Sequence, residues 1–134
     1  MSRLNKMYQE QLLVEAKNPY HFDKRIDIEE SIRAYNPLCG DRYDLFLGEE
    51  IFFHGFGCAI SKASTSLMIK FLEGKSNEEA IHSIKKFIKG IEGGGQIEEE
   101  LLLIFRNPDH FKGRHDCIKL SWNAMLKYLL NLPS

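Results

Sequence analysis

Apolar residues recur at helical spacing at the start of the chain, where Leu4, Met7, Tyr8 and Leu12 share one face of a helix predicted from about Arg3 to Lys17. Asn18-Pro19 ends it, because the residue before a proline is pushed out of the helical region. Residues 19 to 38 read as an irregular connector, flanked by two prolines and carrying charges without a period. From Arg42 to Phe56 the pattern turns strand-like: Tyr43, Leu45 and Leu47 alternate with Asp44 and Phe46, Gly48-Glu49-Glu50 breaks the run, and Ile51-Phe52-Phe53 follows. That predicts a short hairpin or meander of two to three strands.

Beyond Cys58 the period returns to helical. Ile60, Ser64, Leu67, Met68 and Phe71 form a stripe that Gly74 stops as a C-terminal cap. Ser76-Asn77-Glu78-Glu79 has the form of a capping box, and it opens a helix carrying Ala80, Ile81, Ile84, Ile88 and Ile91 inward. Gly93-Gly94-Gly95 ends that helix through its backbone entropy. A short helix from Ile97 to Phe105, a polar loop after Asn107-Pro108, and a last helix starting close to Cys117 complete the chain, with Ile118, Trp122, Met125, Leu126 and Leu129 on one face of the last. The expected fold class is α+β, a small antiparallel sheet of two to three strands packed with about five helices, in a single domain over residues 1–134.

Composition narrows the partners. An apolar fraction of 43%, a charged fraction of 28% and a formal net charge of −1 are those of an ordinary globular protein and give no reason to expect nucleic acid or a membrane surface as a partner. The longest dense apolar run, Leu101 to Phe105, is five residues, far short of a membrane span, and the start of the chain is polar rather than signal-like. With thiols expected to be reduced, this points to a cytoplasmic protein.

The three cysteines change the picture most. They stand in Asn36-Pro37-Leu38-Cys39-Gly40-Asp41, in Gly55-Phe56-Gly57-Cys58-Ala59-Ile60-Ser61 and in Arg114-His115-Asp116-Cys117. An odd number cannot pair off into intramolecular disulfides. All three fall at element boundaries, where sulfur is expected to be accessible, and Cys58 and Cys117 fall near helix N-termini, which favour thiolate. Gly40 and Gly57 flank two of them and allow the backbone to approach a metal or a partner closely. Thiolate binds zinc or iron and also attacks sulfur, and Asp41 would complete a Cys₃Asp tetrahedron. Two alternatives stand beside this: a lone cysteine is most often a small buried hydrophobe, and an aspartate in this position is most often a turn residue. The spacing is not that of a zinc finger, with 18 residues between the first two cysteines and 58 between the last two.

These three segments, closing with Cys117-Ile118-Lys119-Leu120-Ser121-Trp122, resemble the signature segments of the iron–sulfur cluster assembly family (IscU, SufU and the NifU N-terminal domain), and Tyr8 to Phe22 resembles its first helix. The resemblance implies an α+β fold that holds zinc or a transient iron–sulfur cluster on Cys39, Cys58 and Cys117, with Asp41 as the fourth metal ligand. It also implies persulfide sulfur received from a cysteine desulfurase. Asp116 stands where the IscU branch has a histidine, Phe111-Lys112-Gly113 stands where its chaperone-recognition motif would end, and Arg114 falls three before Cys117, so the chain looks closest to the SufU branch. The middle hairpin looks shorter than the family's, trimmed near Gly48.

For that branch the implied role is a zinc-bound sulfur acceptor, a sulfurtransferase-like carrier and desulfurase activator rather than a metabolic enzyme. Cys39 is the expected acceptor and Arg114 an expected docking residue, alongside the bland reading of a solvated arginine. The implied partners are a SufS-like cysteine desulfurase and apo iron–sulfur proteins or a downstream scaffold. Three alternatives remain: a scaffold on which a cluster is built and transferred, a structural-zinc interaction module, and, far behind, a zinc or cysteine hydrolase. His115 is an alternative ligand to Asp41, while His21, His54, His82 and His110 show no clustering along the sequence.

Overall fold

In the computed structural model of the chain, residues 3–133 are described, with side chains from Lys6 onward; Leu4, placed on the first helix's inner face by sequence, lies outside the described side chains. The elements are α1 (Arg3–Lys17), β1 (Ser31–Tyr35), β2 (Arg42–Leu47), β3 (Ile51–Phe56), α2 (Ala59–Leu72), α3 (Asn77–Ile91) and α4 (His115–Leu130), with 3₁₀ turns at Glu100–Phe105 and Pro108–Phe111. The class is the expected α+β, and the sheet has three antiparallel strands in the order β1-β2-β3.

One strand lies in the segment expected to be irregular. Ser31–Tyr35 pairs with β2 from Ser31↔Phe46 to Tyr35↔Arg42. Ile32 and Ala34 of this edge strand face inward, half-buried and buried, and alternate with exposed Ser31, Arg33 and Tyr35, an alternation of only five residues with two apolar positions. The short helix expected over Ile97–Phe105 is a 3₁₀ turn beginning at Glu100. A six-residue stretch between a glycine run and a proline is too short for a cooperative α-helix.

The inner face of the sheet presents Tyr43, Leu45 and Phe53, each fully buried, with Leu45 opposite Phe53. Against it packs α2, which is buried from Ser61 through Ile69 with the exception of Lys62. Such burial hides Ser61, Ser64, Thr65 and Ser66, and each has a hydrogen-bond partner. Ser64 donates to Ile118 O at 2.6 Å and accepts from Trp122 Nε1 at 2.9 Å, while Thr65 and Ser121 share a bond of 2.6 Å. Small hydroxyl residues thus let α2 and α4 approach closely without leaving a polar atom unpaired.

The rest of the core follows the predicted stripes with local changes. In α3 the capping box of Ser76 and Glu79 is formed, and Ala80, Ile84, Phe87 and Ile91 are buried. Trp122 in α4 stacks on Phe87 with ring centroids 3.9 Å apart. In α1, Leu12 is buried and Tyr8 packs on the core, but Met7 is 41% exposed, off the expected inner face. Gly74 takes a φ of +77° just after α2, as its capping role requires. Among the described residues, no helix is long and apolar enough to cross a membrane.

Candidate metal centre

Each thiol is placed by a different structural device. Cys39 sits at the tip of the loop joining β1 to β2, which Asn36 organises. Its side chain accepts from Leu38 N at 3.0 Å, its carbonyl from Gly40 N at 2.8 Å, and its own N–H donates to Asp41 O at 2.9 Å. Gly40 closes the loop at a φ of +81°, a left-handed conformation open to glycine at little cost. Asp41 then enters the sheet end and is 6% exposed. Cys58 is the N-cap of α2, its sulfur accepting from Ser61 N at 3.4 Å. Cys117 lies in the first turn of α4 and is buried.

The fold brings these residues together. One ligating atom each from Cys39, Asp41 and Cys117 lies within 4.8 Å of the others, and Cys58 Sγ is 3.6 Å from Asp41 Oδ2. Three loops or helix starts, separated widely in sequence, therefore converge at the end of the sheet where β2 begins and β3 ends. The donor set of three sulfurs and one carboxylate suits zinc or iron. Asp41 supports the fit: among the described residues this buried carboxylate joins no ion pair, and a bound cation would supply one.

The thiols are unequal. Cys39 is exposed, Cys58 half-buried and Cys117 buried, so the expectation that all three would be accessible holds only for the first. The difference follows from the elements: Cys117 lies on α4 next to Ile118, which is fully buried, whereas Cys39 lies in an exposed loop. Burial pushes the Cys117 thiol up to about 12, and negative charge on Cys58, Cys39 and Asp41 adds to the effect.

Behind Cys58 lies a pair that the sequence did not single out for the site. Tyr43 Oη is 2.8 Å from Ser61 Oγ, and both side chains are fully buried. Burial raises the Tyr43 phenol well above its ordinary value, keeping it protonated. The signal available in the sequence was Gly57. A Cβ there would come within 2.1 Å of Tyr43 Oη and 2.5 Å of Ser61 Oγ, so this glycine makes room for the pair rather than for a metal.

Other expected residues fall differently. Arg114 is exposed at the N-cap position of α4, on the same rim as the thiols, and joins no ion pair among the described residues. His115 is turned to Pro108 O, with Nε2 at 2.7 Å, so its ring is engaged by the turn before α4. His21, unclustered along the sequence, is grouped by the fold with Glu50 and Glu73, their ligating atoms within 4.8 Å. Its ring stacks between Tyr20 and Phe52, Nδ1 meets Ile51 O at 2.9 Å, and Tyr20 donates to Glu73 at 2.7 Å. This grouping ties the β2–β3 turn to the end of α2, at the opposite end of the sheet from the cysteines.

Comparison with known proteins gives one consistent relationship. The sequence pattern of the family described as NifU-like N terminal domain matches residues 7–101, a range that takes in Cys39, Asp41 and Cys58 and stops short of Cys117. The chain is 33% identical to the iron–sulfur cluster assembly scaffold protein IscU of Streptococcus pyogenes serotype M1, over 93% of this chain and 84% of that one. It is 30% identical to the zinc-dependent sulfurtransferase SufU of Bacillus subtilis (strain 168), over 94% of this chain and 91% of that one. Among solved structures, a candidate iron–sulfur cluster assembly scaffold protein for the SUF system from Fervidobacterium islandicum AW-1 superposes with a TM-score of 0.71 at 27% identity, covering 96% of each chain.

Proposed function

The chain belongs to the NifU-like N-terminal domain family, whose members include the IscU and SufU proteins, and from that premise we propose that it is a zinc-bound sulfur acceptor in iron–sulfur cluster assembly. The observation that carries the reading is the convergence of Cys39, Asp41 and Cys117 within 4.8 Å, with Cys58 against the same carboxylate. Cys39, Asp41, Cys58 and Cys117 would hold the ion. Zinc bound there would stabilise the ligand thiols as thiolates at neutral pH.

The remaining steps belong to the chain's own residues. Cys39, exposed at a loop tip, is the sulfur acceptor. Its thiolate attacks the terminal sulfur of the persulfide on a cysteine desulfurase, the S–S bond of that persulfide breaks, and the desulfurase cysteine leaves as thiolate. The products are a persulfide on Cys39 and a free enzyme thiol, with no net oxidation. Cys58 and Cys117, less exposed, stay as anchors with Asp41. Arg114, exposed on the rim, meets the partner or the anionic persulfide. The sulfur then passes to a downstream scaffold or apo iron–sulfur protein.

A second reading, that a cluster is built on the same thiols and transferred, is favoured by the scaffold description of the Streptococcus relative. The test is metal content followed by desulfurase turnover with the wild type and with Cys39→Ala. Bound zinc and a stimulation abolished by the substitution are expected. A protein that holds neither zinc nor iron and leaves every cognate desulfurase unstimulated overturns the proposal. Reconstitution with iron and sulfide, read by optical spectra, separates the scaffold from the sulfur carrier.

A further inference from the structure

Three thiols around one ion raise the question of which one leaves it. We infer that Tyr43 and Ser61 are positioning residues that pin Cys58, so that Cys39 is the thiol released; this rests on the metal-bound sulfur-acceptor reading above.

The hydrogen-bond directions give the argument. Tyr43 is fully buried, and among the described residues its hydroxyl has one partner, Ser61 Oγ at 2.8 Å. A protonated phenol therefore donates to the serine oxygen. That leaves the serine's single proton for the Cys58 carbonyl oxygen at 3.2 Å, while the Cys58 thiol lies 3.7 Å from the same hydroxyl as a donor to it. The backbone N–H of Ser61 already points at the same sulfur from 3.4 Å. Ser61, backed by a buried phenol, thus holds Cys58 at two points, its N–H on the sulfur and its hydroxyl on the carbonyl, and so fixes the side chain in place.

Neither other thiol has this arrangement. Cys117 is shielded by burial. Cys39 is exposed on a loop and, among the described residues, carries no side-chain hydrogen bond. Gly57 gives the pair an independent trace in the sequence, since any side chain there would collide with both hydroxyls. The three ligands are thus graded by their surroundings: one buried, one pinned, one free.

The experiment is site-resolved alkylation of the zinc-loaded protein with iodoacetamide, quenched early and read by peptide mass mapping. In the wild type, Cys39 reacts first. In Ser61→Ala the rate at Cys58 relative to Cys39 rises about fivefold, the size expected for losing one ordinary neutral hydrogen bond. Tyr43→Phe moves the ratio the same way by a smaller factor. A purely structural defect instead raises labelling at all three thiols together, and if Ser61→Ala behaves so, Tyr43→Phe, which removes one buried oxygen, decides. A Cys58-to-Cys39 ratio unchanged in the zinc-loaded variants overturns the inference and leaves the sulfur-acceptor reading standing. A wild type that takes up no zinc removes both.

Discussion

At the scale of single residues, the site's specificity lies in what surrounds each sulfur rather than in the sulfurs themselves. Cys39 is exposed, so Cys39→Ala should leave the stability of the metal-free protein within about 0.5 kcal/mol of wild type in urea unfolding, while removing sulfur acceptance. Gly57→Ala should do the opposite. Its new methyl group would lie 2.1 Å from Tyr43 Oη, and forcing it in costs about 1–3 kcal/mol and displaces Cys58, so zinc retention measured against a competing chelator should fall with stability. The motif residues around the cysteines were legible in the sequence because they are contiguous in it. The Tyr43–Ser61 pair was not: Tyr43 reads as an ordinary inward strand residue and Ser61 as an ordinary helix-start serine, and only the fold sets them face to face behind Cys58.

At the scale of elements, α2 is the centre of the molecule and β1 its least legible part. A helix buried on nearly every side is usually apolar all round. Here Ser61, Ser64, Thr65 and Ser66 are all buried, whereas the stripe read from the sequence, Ile60, Ser64, Leu67, Met68 and Phe71, included only Ser64 of the four. Ser64 serves two partners, Ile118 O and Trp122 Nε1, so Ser64→Ala should cost about 1–3 kcal/mol by leaving the indole N–H buried and unpaired, read as a lower denaturation midpoint. By contrast, Ser76→Ala, which removes an exposed capping box, should cost about 1 kcal/mol and leave the metal site untouched. The capping box and the glycine stops were visible because helix ends depend on local chemistry. Strand β1 was not, because its alternation spans only five residues with Ile32 and Ala34 as the inward pair, inside a stretch of unpatterned charge, and its conformation rests on pairing with β2.

At the scale of the whole molecule, fold and chemistry are coupled through the burial of Cys117. Its thiol is pushed up to about 12 by burial and by neighbouring negative charge, so the folded, metal-free protein favours the neutral form. The unfolded chain has an ordinary thiol near pH 8.5. The stability associated with this group is therefore present below about pH 8.5 and is lost as pH rises toward the folded-state value. Urea unfolding of the metal-free protein across that window should show the midpoint falling with pH. Zinc binding at neutral pH must displace this proton, so adding zinc to a weakly buffered sample should acidify it.

The central claim is that Cys39 carries the transferred sulfur while Cys58 and Cys117 remain anchors. The most direct measurement is to incubate the zinc-loaded protein with a cysteine desulfurase and cysteine, trap persulfides with an alkylating agent, and map them by peptide mass spectrometry. The account predicts an added sulfur on the peptide containing Cys39, none on those containing Cys58 and Cys117, and its loss in Cys39→Ala. Sulfur appearing first on Cys58 or Cys117, or equally on all three, would contradict it.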